Sequence, residues 1–193
     1  MDYIFKSLQD NKEVDVIYLD YAKAFDKVDH EILLHKLSLI EIEGKLFEWI
    51  KNFLTKNRFQ TVLVNGKRSF LAEVLSGVPQ GSVLGPLLFL IYINGLVTTV
   101  KHSKISSFAD DTKVSKTIET VEDTENLQKD LNTIISWSRQ NNMDLHEDKF
   151  ELINYKINSS KLLSELPFTS CLHSYETLNG KDLLPSNSVK TLE

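Results

Sequence analysis

The run Val14-Asp15-Val16-Ile17-Tyr18-Leu19, closed by Asp20, limits what this chain can fold into more than any other stretch. It is apolar at odd and even positions alike, apart from Asp15. A strand with two apolar faces belongs in the middle of a sheet, buried on both sides. A second stretch, Ser106-Ser107-Phe108-Ala109-Asp110-Asp111, reads as a short strand that turns back at two adjacent carboxylates. Alone, such a pair marks a surface turn. Side-by-side ionised carboxylates repel and are tolerated at a solvated tip or where cations hold them. Asp20 changes the reading, because two strands ending in carboxylates can meet side by side in one sheet. The result is a set of three hard-oxygen donors, Asp20, Asp110 and Asp111, of the kind magnesium prefers. Such a set can hold two metal ions about 4 Å apart, the arrangement used for in-line phosphoryl transfer.

The remaining composition fits a globular protein of one or two domains. Cys171 is the one cysteine among 193 residues, which excludes an internal disulfide framework and suits an intracellular protein. Met1-Asp2-Tyr3-Ile4-Phe5 lacks the basic and apolar regions of a signal peptide. Residues 74–100 carry no charge, but Pro79, Gln80, Gly81, Ser82, Gly85, Pro86 and Asn94 interrupt them. The unbroken apolar part, 87–93, falls far short of the roughly 20 residues of a membrane span, so a buried helix is expected and no membrane partner. The net charge is −5, yet Lys51, Lys56, Arg58, Lys67 and Arg68 lie in a stretch free of acids. Residues 119–148 hold eight acids against Lys129 and Arg139. A basic patch and an acidic face can therefore coexist.

In chain order, residues 3–10 read as a helix and 14–19 as the central strand. Asp29 is placed to cap a helix over 31–40, with Val28 against Leu33 as a staple. Helical spacing of Leu46, Phe47, Ile50, Phe53 and Leu54 predicts a helix over 44–55. Alternation over 58–64, then Asn65-Gly66, then 68–74, predicts a hairpin. A loop at 76–81 precedes an apolar helix over 82–97. Strands at 104–109 and 112–114 flank the Asp pair. Thr120 opens an amphipathic helix to Gln140, with Glu125 paired to Lys129, and 151–155 is a last strand. The fold class is α+β, a mainly antiparallel sheet with helices packed on one face, the other face being free for a ligand.

These residues carry a family resemblance. Val16 to His30, through Leu19-Asp20-Tyr21-Ala22-Lys23-Ala24-Phe25-Asp26, resembles the first catalytic motif of reverse transcriptases in its non-LTR (LINE-like) retrotransposon wording. Gly77-Val78-Pro79-Gln80-Gly81-Ser82-Val83-Leu84-Gly85-Pro86 resembles the second palm motif, and Phe108-Ala109-Asp110-Asp111 the third. The resemblance covers about residues 10–155. It implies a polymerase palm over 1–158 with part of the fingers, the thumb absent, and 159–193 as the end of the palm leading to a truncated segment similar to the primer grip at 188–193. It implies an RNA-directed DNA polymerase that adds dNTPs to a primer 3′-hydroxyl with two magnesium ions, manganese being an alternative. Asp20, Asp110 and Asp111 are then the catalytic metal ligands, and the Tyr21 carbonyl a weaker one. Phe25 matches the steric gate that excludes a 2′-hydroxyl. Gln80 and Gly81 match the loop touching the incoming nucleotide and template. Lys149 matches the lysine near the triphosphate, although His146 and Phe150 depart from the family's Asn and Thr around it. Asp26 reads as structural and His30 as a helix-start residue.

The implied partners are an RNA template, a DNA primer, dNTPs, and the fingers, thumb and endonuclease parts of a full-length element protein. The alternative readings are a catalytically inactive remnant, a nucleic-acid-binding module with a palm fold, and a reverse transcriptase of the intron type. The wording Ala-Phe-Asp-x-Val-Asp-His favours the retrotransposon. The nucleic-acid-binding module lacks the aromatic Lys/Arg-Gly-Phe-rich motif of RNA-recognition sheets.

Overall fold

A computed structural model describes residues 2–109, 111–156, 173–177 and 179–185. The elements are α1 (Asp2–Gln9), β1 (Glu13–Leu19), α2 (His30–Leu39), α3 (Gly44–Thr55), β2 (Phe59–Gln60), β3 (Leu63–Val64), β4 (Lys67–Arg68), β5 (Ala72–Glu73), α4 (Leu84–Ile93), β6 (Lys104–Phe108), β7 (Asp111–Ile118), α5 (Val121–Gln140), β8 (Glu151–Tyr155), β9 (Tyr175–Glu176) and β10 (Asp182–Leu183). They fall into two compact units. The first comprises Met1–Tyr21, Leu96–Trp137 and Leu145–Glu193; the second comprises Ala22–Gly95 and Ser138–Asp144.

The first unit is built on an antiparallel sheet in the order β6-β7-β1-β8. The strand read as central is central. Val14, Val16 and Ile17 are fully buried, and each such side chain contributes about 1.5–3 kcal/mol to stability. Register sorts the two faces. Val14 lies opposite Thr117 and Tyr155, and Val16 opposite Ser115 and Ile153. The side chains of Ile4 and Leu8, from α1, close over Val14, Val16, Ile153 and Tyr155. Ser7 Oγ and the Tyr3 hydroxyl hydrogen-bond Thr117 Oγ1 at 2.9 and 2.8 Å. Residues at period 2 share a face, so α1 covers one half of this face, and the half bearing Tyr18 and Asp20 continues beyond it. On the opposite face, Lys116 reaches Asp123 of α5 at 3.1 Å.

The start of α5 carries the expected cap in reciprocal form. Asp123 Oδ2 accepts from the Thr120 N–H, and the Asp123 N–H donates to Thr120 Oγ1. Burial pushes the Asp123 carboxyl up, but the Thr120 hydroxyl, Lys116 and two backbone N–H groups outweigh it and hold it low. Lys129 donates to Asn126 at 3.2 Å rather than serving the expected partner, Glu125; an exposed pair of that kind is worth only a few tenths of a kcal/mol, too little to fix the side chain.

The second unit packs α2, α3 and α4 around Leu33, Leu37, Leu54, Leu88 and Phe89, all buried. Asp29 caps α2 as expected, its Oδ1 accepting from the Glu31 and Ile32 N–H groups. The hairpin over 58–74 forms, but as two short ladders, β2 with β5 and β3 with β4. Between them the Ser69 hydroxyl takes the Val62 N–H at 2.9 Å, a hydrogen bond that a continuous ladder would give to a backbone carbonyl. The expected helix over 82–97 is α4 followed by a 3-10 turn at Asn94–Thr98. Its start is set back because Ser82 Oγ accepts from the Gly85 N–H.

Candidate active site

β6 and β7 form a hairpin whose last pair is Phe108 with Asp111. Ala109 has φ 54°, in the left-handed region where a side chain costs about 1–2 kcal/mol. That strain falls directly after β6, two residues before Asp111. Asp110 itself lies outside the described residues. β1 pairs β7 with Leu19 opposite Thr112. Asp20 directly follows Leu19 and Asp111 directly precedes Thr112, and both line one cleft. Asp20, Asp111, Lys113, Tyr18, Ser106 and Glu151 share the face that α1 leaves open, and with Phe108 and Lys149 they line a cleft of about 540 Å³.

The segment after α5 completes this end of the sheet. Tyr21 forms a β-bridge with Leu145, and the His146 N–H donates to the Asp20 carbonyl at 2.8 Å. A 3-10 turn, Glu147–Lys149, then brings the Lys149 ammonium to 2.7 Å from Asp20 Oδ2. The backbone of His146 does this, so the departure from the family's Asn does not prevent Lys149 from reaching Asp20. Tyr21 is itself buried.

In the second unit the loop 76–81 is fixed by several independent bonds. The Gly77 N–H donates to the Val28 carbonyl and the Val78 N–H to the Phe25 carbonyl, at 2.8 and 2.9 Å. His30, buried at the start of α2, donates from Nε2 to the Gly77 carbonyl at 2.9 Å. Arg58 donates to the same oxygen at 3.1 Å, so this member of the expected basic patch serves the loop. Burial lowers its pKa. Gly77 has φ 89°, and a Cβ there would come within 2.9 Å of the Asp26 backbone. Gly81 has φ 77° but open space where a Cβ would be, leaving room for a ligand. Gln80 is exposed and donates from Nε2 to Asp26 Oδ1 at 2.9 Å. Phe25 is half-buried and stacks on Phe89, with ring centroids 4.4 Å apart and planes at 17°. One ring face is held against Phe89, and the residue stays partly exposed.

Asp26, His30 and Arg58 had no assigned part in holding the loop 76–81 on sequence grounds. Their role rests on contacts 19 to 54 residues apart in the chain, for which no local pattern exists.

The chain matches the reverse transcriptase (RNA-dependent DNA polymerase) family over residues 5–182. It belongs to that family. It is 34% identical over 149 residues to an RNA-directed DNA polymerase from the mobile element jockey of Drosophila melanogaster, a match covering 72% of this chain and 16% of that protein. It is 32% identical over 146 residues to a probable RNA-directed DNA polymerase from the transposon X-element of the same fly, with the same coverage. The chain thus spans about one sixth of the length of these relatives. The relatives bear out the non-LTR wording of the motifs. A telomerase from Candida tropicalis, in complex with a fragment of telomeric RNA, shares the fold with a TM-score of 0.60 at 14% identity, covering 100% of this chain and 33% of that one. The α+β palm architecture expected from the sequence is therefore present.

The family generally uses divalent metal ions. The donor set fits them. Asp20 and Asp111 offer hard carboxylate oxygens in one open cleft, and Asp20 already holds a cationic group, the Lys149 ammonium. Among the described residues no three metal-ligating side chains converge, and Asp110, the third carboxylate, is not among those residues. Among the described residues, no helix is long and apolar enough to cross a membrane.

Proposed function

We propose that this chain is the catalytic palm of an RNA-directed DNA polymerase that extends a DNA primer on an RNA template. The observation that carries the reading is the register of β1 and β7, which supports Asp20 and Asp111 acting together at the open end of the sheet. In this reading Asp20, Asp110 and Asp111 hold two magnesium ions, with manganese able to replace them, and the Tyr21 carbonyl contributes weakly. When bound, the metals lower the pKa of the primer 3′-hydroxyl and neutralise charge on the triphosphate. Lys149 supplies a proton to the departing pyrophosphate. Phe25, supported from behind by Phe89, presents its ring to the sugar and rejects a 2′-hydroxyl. Gln80 and Gly81 receive the incoming nucleotide and template, Gly81 because nothing fills the space beside it. The fingers, thumb and endonuclease segments of a longer element protein supply further nucleic-acid contacts, which dominate affinity for a charged duplex.

The test is dNTP incorporation on a primed RNA template with magnesium. Asp20→Ala and Asp111→Ala are each expected to lower the rate by more than about 100-fold, the scale of losing one preorganised charge-stabilising group. Primer-template retention without incorporation by the folded wild-type chain would support a nucleic-acid-binding module instead.

A further inference from the structure

We infer that Lys149 is an internal counter-cation of Asp20, occupying the carboxylate while metal is absent and competing with metal for it. The inference rests on the metal-binding reading above. Three observations support it. The ammonium lies 2.7 Å from Asp20 Oδ2, the geometry of a charge-assisted hydrogen bond. The lysine cannot drift far, because the His146 N–H ties its turn to the backbone of Asp20 itself, and the Lys149 N–H closes that turn on the His146 carbonyl. The pair is also open to exchange: the Lys149 side chain is 62% exposed and that of Asp20 32%. Such a partner is strong enough to hold the carboxylate in place and weak enough to be displaced by a divalent ion.

The consequence is a coupling within the site. A metal arriving at Asp20 meets an ammonium that must swing away. Once released, Lys149 stays tethered at the rim of the cleft, free to meet an anionic group such as a triphosphate. Lysine availability is thereby tied to metal loading.

The coupling can be measured without catalysis, by titrating the full 193-residue chain with Mn2+ and reading free Mn2+ by electron paramagnetic resonance. Lys149→Met should bind Mn2+ about three- to fivefold more tightly than wild type, the worth of a screened ion pair. Lys149→Arg, which keeps the charge, should restore wild-type affinity. Acetylation of Lys149, followed by mass spectrometry, should speed up on adding Mn2+ in wild type, whereas in Asp20→Asn the lysine should be fast with or without metal. Equal or weaker binding by a Lys149→Met protein with an unchanged circular dichroism spectrum overturns the inference. If wild type binds and Asp20→Asn does not, that failure leaves the metal site standing. If no variant binds Mn2+, both readings fall.

Discussion

Two aspartates five residues apart, Asp15 within the central strand and Asp20 just past its end, have opposite fates. Asp15 is fully buried, and its carboxylate accepts from Asn154 Nδ2 at 2.7 Å, His173 Nδ1 at 3.0 Å and the Tyr175 hydroxyl at 2.5 Å. Asp20 is half-buried, and its carboxylate holds the exposed ammonium of Lys149. Asp15 and Asp20 point to opposite faces, as residues five apart on a strand must. The first has rigid donors that must find an acceptor or pay desolvation. The second has a donor that water could replace. The difference teaches that a carboxylate's chemistry is set by how many fixed donors reach it. The Tyr175 hydroxyl shows the same from the donor's side: burial, then the Asp15 carboxylate, push its pKa well above the ordinary phenol range, so it remains a donor throughout the working pH range.

The largest expected effect follows from this contrast. Asp15→Ala strands three donors, one of them on a fully buried ring, and should cost about 3 kcal/mol or more. Asp20→Ala removes one exposed ion pair and should change stability by less than about 1 kcal/mol. Urea denaturation of both variants decides. Equal losses would break the comparison, because they would mean that the Asp20 end is as rigidly built as the Asp15 end.

Sequence patterns reached the two ends of β1 unequally for a physical reason. The buried strand is legible because burial on both faces leaves a run of apolar residues. The closeness of the end of β1 to the start of β7 is legible because strand periodicity fixes which residues share a face, with Asp20 following β1 and Asp111 opening β7. The partners of Asp15 are not legible: His173 and Tyr175 lie 158 and 160 residues away and follow no spacing rule. The hairpin over 58–74 was legible as a hairpin from Asn65-Gly66, but its broken ladder depends on one hydroxyl, Ser69. Asp110 and the segment 188–193 expected to resemble the primer grip lie outside the described residues.

A middle case sharpens the comparison. Asp29 caps α2 through the Glu31 and Ile32 N–H groups and accepts from Asn142 Nδ2 at 2.9 Å. Burial raises its pKa, but those three donors outweigh burial and leave it below the usual value. A carboxyl whose folded pKa is depressed adds stability above the unfolded pKa and loses it as pH falls through the folded one. Asp29→Ala should cost about 1 kcal/mol at neutral pH, as for loss of an N-cap. That cost should shrink as pH drops below about 4. Asp29→Asn keeps the capping oxygen without the charge, and its difference from Asp29→Ala should stay flat over the same range. Thermal unfolding from neutral pH to pH 3 checks both slopes.

The smallest effect concerns Asp26, which is more exposed than Asp20 and holds a neutral amide. A carboxylate only accepts, so Asp26 obliges Gln80 to turn its NH2 inward and leaves the Gln80 carbonyl oxygen outward as the free acceptor. Asp26→Ala removes that orientation without touching the Gly77 and Val78 backbone bonds that hold the loop. If Gln80 meets the nucleotide, the variant should raise KM for dNTP about threefold and leave kcat unchanged, the signature of lost uniform binding. Asp26→Asn allows the Gln80 amide to pair in either orientation, since an Asn both donates and accepts. Its KM should therefore fall between wild type and Asp26→Ala. Steady-state incorporation kinetics distinguish this from loss of the fold, because a loosened loop would lower kcat as well. An Asp26→Asn protein as impaired as Asp26→Ala would show that the negative charge, rather than the orientation of Gln80, is what the site requires.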